Sequence, residues 1–455
     1  MLAPLLLLLL AVPAVLARSK NAEEFARIRD PKQECKWYSE PTLSKLLRTQ
    51  FPKPGHIAAI MDGDDDAQSL WKEIKNSGII PKHVAIKEAT VEHRGIASSQ
   101  LHHYDKSDPD CWWTHSKCTK PKSSSDKIPH DLERCEEPST WGLTFDDGPH
   151  CAHNKLYDYL AQNKIRASMF FIGTNVVTYP LQAQRALVDG HDICVHTWSH
   201  RVMTSLTDEQ VFSELYYTAK AIKTVTGVTP RCWRPPFGDV DDRVRAIAAS
   251  LGLRNMLWEM DTDDWLIDGG KSKSDVEHNY ENIIAKAKDH SPIVLAHELS
   301  RGTMETFIKM YPKIKEAYKH VVPLTACLNA THPYSEDVTY PSLVEYVSGD
   351  IGARGQPSGH VIKVSASAKY DPVPLNKQKK EGSFMVPAAK SKSKSSPKVD
   401  TVKKTRSDST NSSSSSSSSE DPPQSACTED QCSSATRSGA SLVTLAVVLT
   451  AALLG

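Results

Sequence analysis

The sequence predicts an α/β protein built on a mainly parallel sheet, curled into a closed or nearly closed barrel of about seven strands. Three observations point there. From Cys135 to about Cys327, short apolar runs alternate with amphipathic helical stretches, the rhythm of repeated βα units. No Gly-rich phosphate loop is present in that span to favour an open nucleotide-binding sheet. Polar clusters follow one apolar run after another, and in barrels chemistry collects at the C-terminal ends of the strands.

Taken in order, the chain opens with MLAPLLLLLLAVPAVLA over residues 1–17, which reads as a secretory signal peptide with cleavage before Arg18. Residues 18–134 form an N-terminal extension in which no repeated unit emerges. There, Asp62, Asp64, Asp66 and Glu73 match some EF-hand positions, but Ala67 stands where that loop needs Gly. The simpler reading makes Asp66 the cap of a helix starting at Ala67. Cys111, Trp112, Trp113 and Cys118 suggest a stapled loop with buried tryptophans.

Strands are expected near 141–146, 165–172, 191–196, 231–235, 253–260, 291–297 and 321–328. The clearest helix follows residue 207: Thr207 and Gln210 form a capping box, Val211, Leu215, Thr218 and Ile222 share a face, and Gly227 ends it. Five polar clusters sit at strand ends. Asp146 and Asp147 close the run Trp141–Pro149 (WGLTFDDGP), where a twisting backbone can present two adjacent carboxylates near one point. His196 and His200 lie four residues apart in HTWSH, spaced to hold one metal ion. Arg234 heads the rigid turn RPPFG, Asp264 falls in DTDDW, and His297 ends LAH. Each alone is weak; the set in order is specific.

The ordered set TFDDGP, HTWSH, RPPFG, DTDDW and LAH resembles the five motifs of the NodB-homology polysaccharide deacetylases, carbohydrate esterase family 4, and within it the fungal chitin deacetylases. The resemblance covers about residues 135–330. It implies a distorted (β/α) barrel, one divalent metal ion (Zn²⁺ or Co²⁺), and N-deacetylation of chitin to chitosan. Asp147, His196 and His200 correspond to its metal ligands and Asp146 to its base. Arg234 corresponds to the partner that orients the base, and His297, oriented by Asp264, to its general acid. The backbone N–H of Phe237, where many members carry Tyr, corresponds to an oxyanion donor, and Trp265 and Leu295 to an acetyl-methyl pocket. The chemistry agrees, because an unactivated acetamide needs a strong nucleophile, and a metal ion lowers the pKa of water toward ~7. Acetyl-xylan esterases and peptidoglycan deacetylases use the same motifs. An inactive chitin-binding wall mannoprotein is the alternative outside enzymes, disfavoured by the complete set of ligands, base and acid.

Cys135 and Cys327 flank the domain and are expected to be bonded; Cys194 and Cys232 lie within neighbouring strands, and their state stays open. Ten cysteines in a secreted chain favour disulfides. Residues 331–432 read as a flexible Ser/Lys-rich stalk, with Cys427 and Cys432 able to close a small ring near its end. Residues 433–455 have the form of a GPI-attachment signal, with Ser433 as the attachment residue and an apolar tail that is removed. Asn329 and Asn411 are N-glycosylation acceptors in form. Lys+Arg 55 balances Asp+Glu 55, so no net field favours nucleic acid, and nothing specifies an oligomeric state. The expected partners are chitin and, through the anchor, the outer face of the plasma membrane, with the enzyme in the cell wall.

Overall fold

Parallel pairing runs through the sheet. The computed structural model describes residues 21–89, 98–122, 128–357, 363–378 and 382–384. The expected signal peptide, Asn411, Cys427, Cys432, Ser433 and the rest of the 433–455 segment lie outside them. No helix among the described residues is long and apolar enough to cross a membrane.

The strands are β1 (Thr140–Gly148), β2 (Ser168–Phe171), β3 (Asp192–Val195), β4 (Cys232–Trp233), β5 (Arg254–Asn255), β6 (Met260–Asp261), β7 (Ile293–Leu295) and β8 (His320–Val322). Their order is β5-β4-β3-β2-β1-β7-β6, with β8 also on β1. This is a curled parallel α/β sheet of the predicted class. Its centre is β1, which pairs with β2, β7 and β8 and is buried along nearly its whole length. Strands buried on both faces read as continuous apolar runs, which is why the sequence exposed them.

The two end strands, β5 and β6, are neighbours in sequence. Residues 256–259 carry the chain from one edge of the sheet to the other. Backbone bonds pin this crossing to Leu132: Leu132 N–H donates to Asn255 O (3.2 Å) and Leu257 N–H to Leu132 O (2.7 Å). The single strand expected over 253–260 is therefore two strands with a crossing between them. Met256 and Leu257 are fully buried in the crossing, so the apolar run gives no sign of the break. The strand expected over 321–328 also stops early. Pro323 lacks an N–H to extend the ladder, and Leu324–Cys327 turns into a helix.

The helix Asp208–Thr226 has the Thr207–Gln210 capping box, and Gly227 ends it at φ 83°. Before the sheet, the N-terminal extension wraps the domain. Cys35 bonds Cys151, Ala58 N–H donates to Glu214 (2.8 Å), and Lys220 pairs with Asp64 (2.7 Å). Asp64, not Asp66, caps the helix Asp65–Asn76 by accepting from Ala67 N–H (3.1 Å). Cys111 bonds Cys118, Cys135 bonds Cys327, and Cys194 bonds Cys232 across β3 and β4.

The packed domain also runs beyond 330, where a flexible stalk was expected. Tyr334 is fully buried and its hydroxyl accepts from Ile193 N–H (2.8 Å) on β3. Tyr340 donates to His191 O (3.0 Å), and Tyr370 to Leu251 O (3.0 Å). A few aromatic anchors in a polar stretch are enough to dock it, and average composition hides them. Asn329 lies in this packed part, half-buried, with Oδ1 accepting from Leu343 N–H (3.0 Å). Tyr334→Ala is expected to lower unfolding free energy by about 3–5 kcal/mol, the range for truncating a large buried aromatic. Denaturant unfolding measures this, and a change within error would mean that the residues after 330 do not belong to the core.

Candidate active site

The cleft lies at the C-terminal ends of the strands, a cavity of about 1010 Å³ that brings together Asp146, Asp147, His196, His200, Phe237 and His297, with Trp265 and Leu295 also in its wall. Its carboxylates come from a defect in β1. Phe145 pairs with Met169 but Gly148 with Phe171, so one extra residue sits in β1 between these pairs. Asp147 takes up the bulge at φ 70°. In a regular strand the two side chains would face opposite ways; here both reach the cleft. Pairing with the β7 side resumes at once: Asp146 N–H donates to Ala296 O (2.9 Å) and Glu298 N–H to Asp146 O (3.0 Å).

Asp146 is fixed by Arg234, which is wholly buried. Its Nη1 donates to Asp146 Oδ1 (2.6 Å) and Thr144 Oγ1 (2.9 Å), its Nε to Met256 O (3.0 Å) and its Nη2 to Leu257 O (3.2 Å). The Phe170 ring lies 4.0 Å beneath the guanidinium carbon. Burial lowers the Arg234 pKa, and the Asp146 charge pushes it back up.

Asp147 faces the two histidines. Its Oδ1 lies 3.4 Å from His196 Nε2 and 3.1 Å from His200 Nε2, and the three donor atoms lie within 4.8 Å of one another. Asp147 Oδ1 is buried and accepts no hydrogen bond. His196 Nδ1 donates to Arg234 O (2.8 Å), which leaves the Nε2 lone pair turned to the cleft. One carboxylate and two imidazoles with converging, unsatisfied lone pairs are the donor set of an open divalent-metal site. Burial raises the Asp147 pKa, but His200 and then His196 outweigh it and hold the carboxyl well below its usual range.

The histidine pair sits on a tight loop, not a helical turn. Thr197 and His200 have positive φ (63° and 54°), while Trp198 between them is fully buried and stacked on Phe51. Glu214, buried on the helix Asp208–Thr226, clamps the loop by accepting from Ser199 N–H (2.8 Å) and Ser199 Oγ (2.7 Å).

Across the cleft, His297 Nδ1 donates to Asp264 Oδ1 (2.6 Å), and the His297 N–H to Asp264 Oδ2 (3.0 Å). One carboxylate thus fixes both the ring and its backbone. Burial pulls the His297 pKa down, but Asp264, then Asp147 and Asp146, lift it to about 10. Phe237 adopts φ 60° and stands edge-on to His200, its ring about half exposed. Trp265 is also about half exposed, at the rim, and Leu295 is buried in the wall.

Residues 133–256 match the profile described as polysaccharide deacetylase. Over 348 residues the chain is 47% identical to chitin deacetylase 2 of Cryptococcus neoformans var. grubii, a match covering 74% of each protein. It is 43% identical over 321 residues to a chitin deacetylase of Amylomyces rouxii, covering 69% of this chain and 75% of that one. The chain belongs to the polysaccharide deacetylase family. It is accordingly a deacetylase of the hydrolase class. Among solved structures, the chitin deacetylase of the fungal pathogen Colletotrichum lindemuthianum is 25% identical, with a TM-score of 0.41 over 43% of this chain and 90% of that chain.

Some residues around the cleft of this deacetylase carry no motif. Glu214 falls mid-helix, where a Glu is unremarkable, and only the fold brings it under the histidine loop. Trp113 and Lys117 line the cleft from the N-terminal extension, far from the motifs in sequence. The arrangement predicts that His196→Ala and His200→Ala each lose the bound divalent ion while keeping the wild-type far-ultraviolet circular dichroism. Metal analysis of the purified proteins checks it, and full occupancy in either variant overturns the ligand assignment.

Proposed function

We propose that the protein hydrolyses the N-acetyl groups of N-acetylglucosamine units in chitin, giving chitosan and acetate, with one divalent ion, Zn²⁺ or Co²⁺, at Asp147, His196 and His200. The observation that carries this reading is the convergence of that ligand set with a buried base–arginine pair and a histidine–carboxylate pair in one cleft. The relatives named chitin deacetylase support the substrate. When bound, the ion would supply Lewis-acid polarisation and a nucleophilic water at neutral pH.

The chain's own residues supply the rest. Asp146, its Oδ1 held by Arg234, keeps Oδ2 toward the cleft and takes the proton of the attacking water. The Phe237 N–H stabilises the developing oxyanion; one such donor is worth about 2.7–4 kcal/mol. His297 protonates the departing amine, which is a poor leaving group as an anion. Leu295 and Trp265 shelter the acetyl methyl.

The reading extends to location. Four disulfides among the described residues suit an oxidising compartment, in keeping with the apolar leader. The C-terminal GPI-type signal would tether the enzyme to the outer face of the plasma membrane, within reach of wall chitin.

Acetate release from chito-oligosaccharides tests the function directly. Activity is expected in the purified protein, loss with a chelator, and recovery on adding Zn²⁺ or Co²⁺; full activity in the metal-stripped protein would overturn the metal dependence. A second expectation concerns protons. His297 acts in its protonated form, which is present below its raised pKa and lost as pH rises through it. Asp264→Asn removes the largest upward influence, so the alkaline limb of kcat/KM should move to lower pH. An alkaline limb that stays in place in this variant would deny His297 the acid role.

A further inference from the structure

The loop closed by Cys111–Cys118 lies ahead of the residues that match the family profile, yet it forms part of the cleft wall. It is clamped to the turn that carries Arg234 and Phe237. Trp113 N–H donates to Val240 O (3.0 Å), while Trp112 Nε1 (2.8 Å) and Thr114 Oγ1 (2.6 Å) both donate to Asp239 Oδ1. Arg245 donates to Cys111 O (2.6 Å) and Cys118 O (2.7 Å), holding both ends of the loop. Trp113 packs so closely on Gly238 that a Cβ there would fall 2.2 Å from its ring, and it meets Trp258 edge-on.

Trp113 is only 5% exposed, so it offers no open face for a sugar. Its outward face is taken by Lys117, whose Nζ lies 3.3 Å from the ring centroid. Lys117 itself is exposed and lines the cleft. Its left-handed backbone (φ 56°) ends the short helix Trp113–Ser116 and turns the side chain back over the indole. Among the described residues it makes no ion pair. A cation over the face of an indole is attracted by the ring quadrupole, which holds the side chain in place. The ammonium is thus held at the cleft wall, where the N–H bonds that point away from the ring are left to donate.

We propose that Lys117 is a specificity-determining residue that donates a hydrogen bond to an N-acetylglucosamine unit adjoining the one being deacetylated. The inference rests on the chitin reading above. It assigns the N-terminal extension a part in reading substrate length, with Trp113 as the platform for Lys117 and the disulfide loop as its mount.

The test compares Lys117→Met and Lys117→Arg with wild type on chito-oligosaccharides of increasing length and on a small activated acetyl ester, which spans only the reacting centre. Loss of a hydrogen bond from a charged donor predicts that Lys117→Met raises KM for the longer oligomers about tenfold with little change in kcat. Ester hydrolysis should be unchanged in both variants, and Lys117→Arg should restore most of the oligomer affinity. An unchanged KM for every oligomer overturns the inference while leaving the chitin reading intact. Equal losses on ester and oligomer also overturn it, because they would mark a disturbed catalytic centre. A wild-type enzyme that cleaves the ester but no chito-oligosaccharide removes the chitin reading, and the inference with it.

Discussion

The buried pair of Arg234 and Asp146 is the interaction on which the rest of the structure depends. A guanidinium without solvent exposure survives only when its donors are matched, and the partners here come from three parts of the fold. Thr144 and Asp146 lie on the central strand, Met256 and Leu257 on the crossing, and Phe170 on β2. The Arg234 carbonyl meanwhile orients His196. One residue therefore fixes the Asp146 carboxylate, the His196 ring and the position of the crossing. Removing one member of such a pair leaves a buried charge unmatched, at about 3–5 kcal/mol.

A second constraint is backbone strain gathered at the strand ends. Asp147, Thr197, His200, Phe237 and Asp263 all take positive φ although none is glycine. Left-handed conformations at bulky residues persist only where the surroundings over-determine them. Here they do: the bulge is bounded by ladder bonds on both sides, and Trp198 is stacked in the core. The histidine loop is stapled by Glu214, and Phe237 follows Pro235 and Pro236 in a turn whose Gly238 packs on Trp113. Strain at these points aims side chains where a relaxed strand or helix would not.

The central domain was largely legible in the sequence because its signals are local. Strands buried on both faces leave apolar runs, the capping box at Thr207 and Gln210 marks a helix start, and the site residues follow the strands in motif order. What stayed hidden depends on contacts between distant segments. The crossing at 256–259 carries the same apolar residues as a strand, so periodicity could not separate them. Tyr334, Tyr340 and Tyr370 are sparse anchors in a polar background. Cys194 and Cys232 sit in paired parallel strands, where sequence alone does not fix the distance between them. Glu214 and Lys117 carry no motif, and their roles exist only once remote loops meet.

The crossing between β5 and β6 also bears on how such a scaffold can change. Its first half, Met256 and Leu257, is tied through its carbonyls to Arg234, while its second half, Trp258 and Glu259, faces the cleft and carries no proposed catalytic group. The side chains of the second half can therefore vary while the carbonyls of the first keep their hold on Arg234. Changed side chains at Trp258 and Glu259 would resize the mouth for a bulkier or slimmer polymer while leaving Asp146, Asp147, His196, His200 and His297 in register. The crossing is thus a point of evolvability, a place where specificity can drift without the chemistry having to be rebuilt.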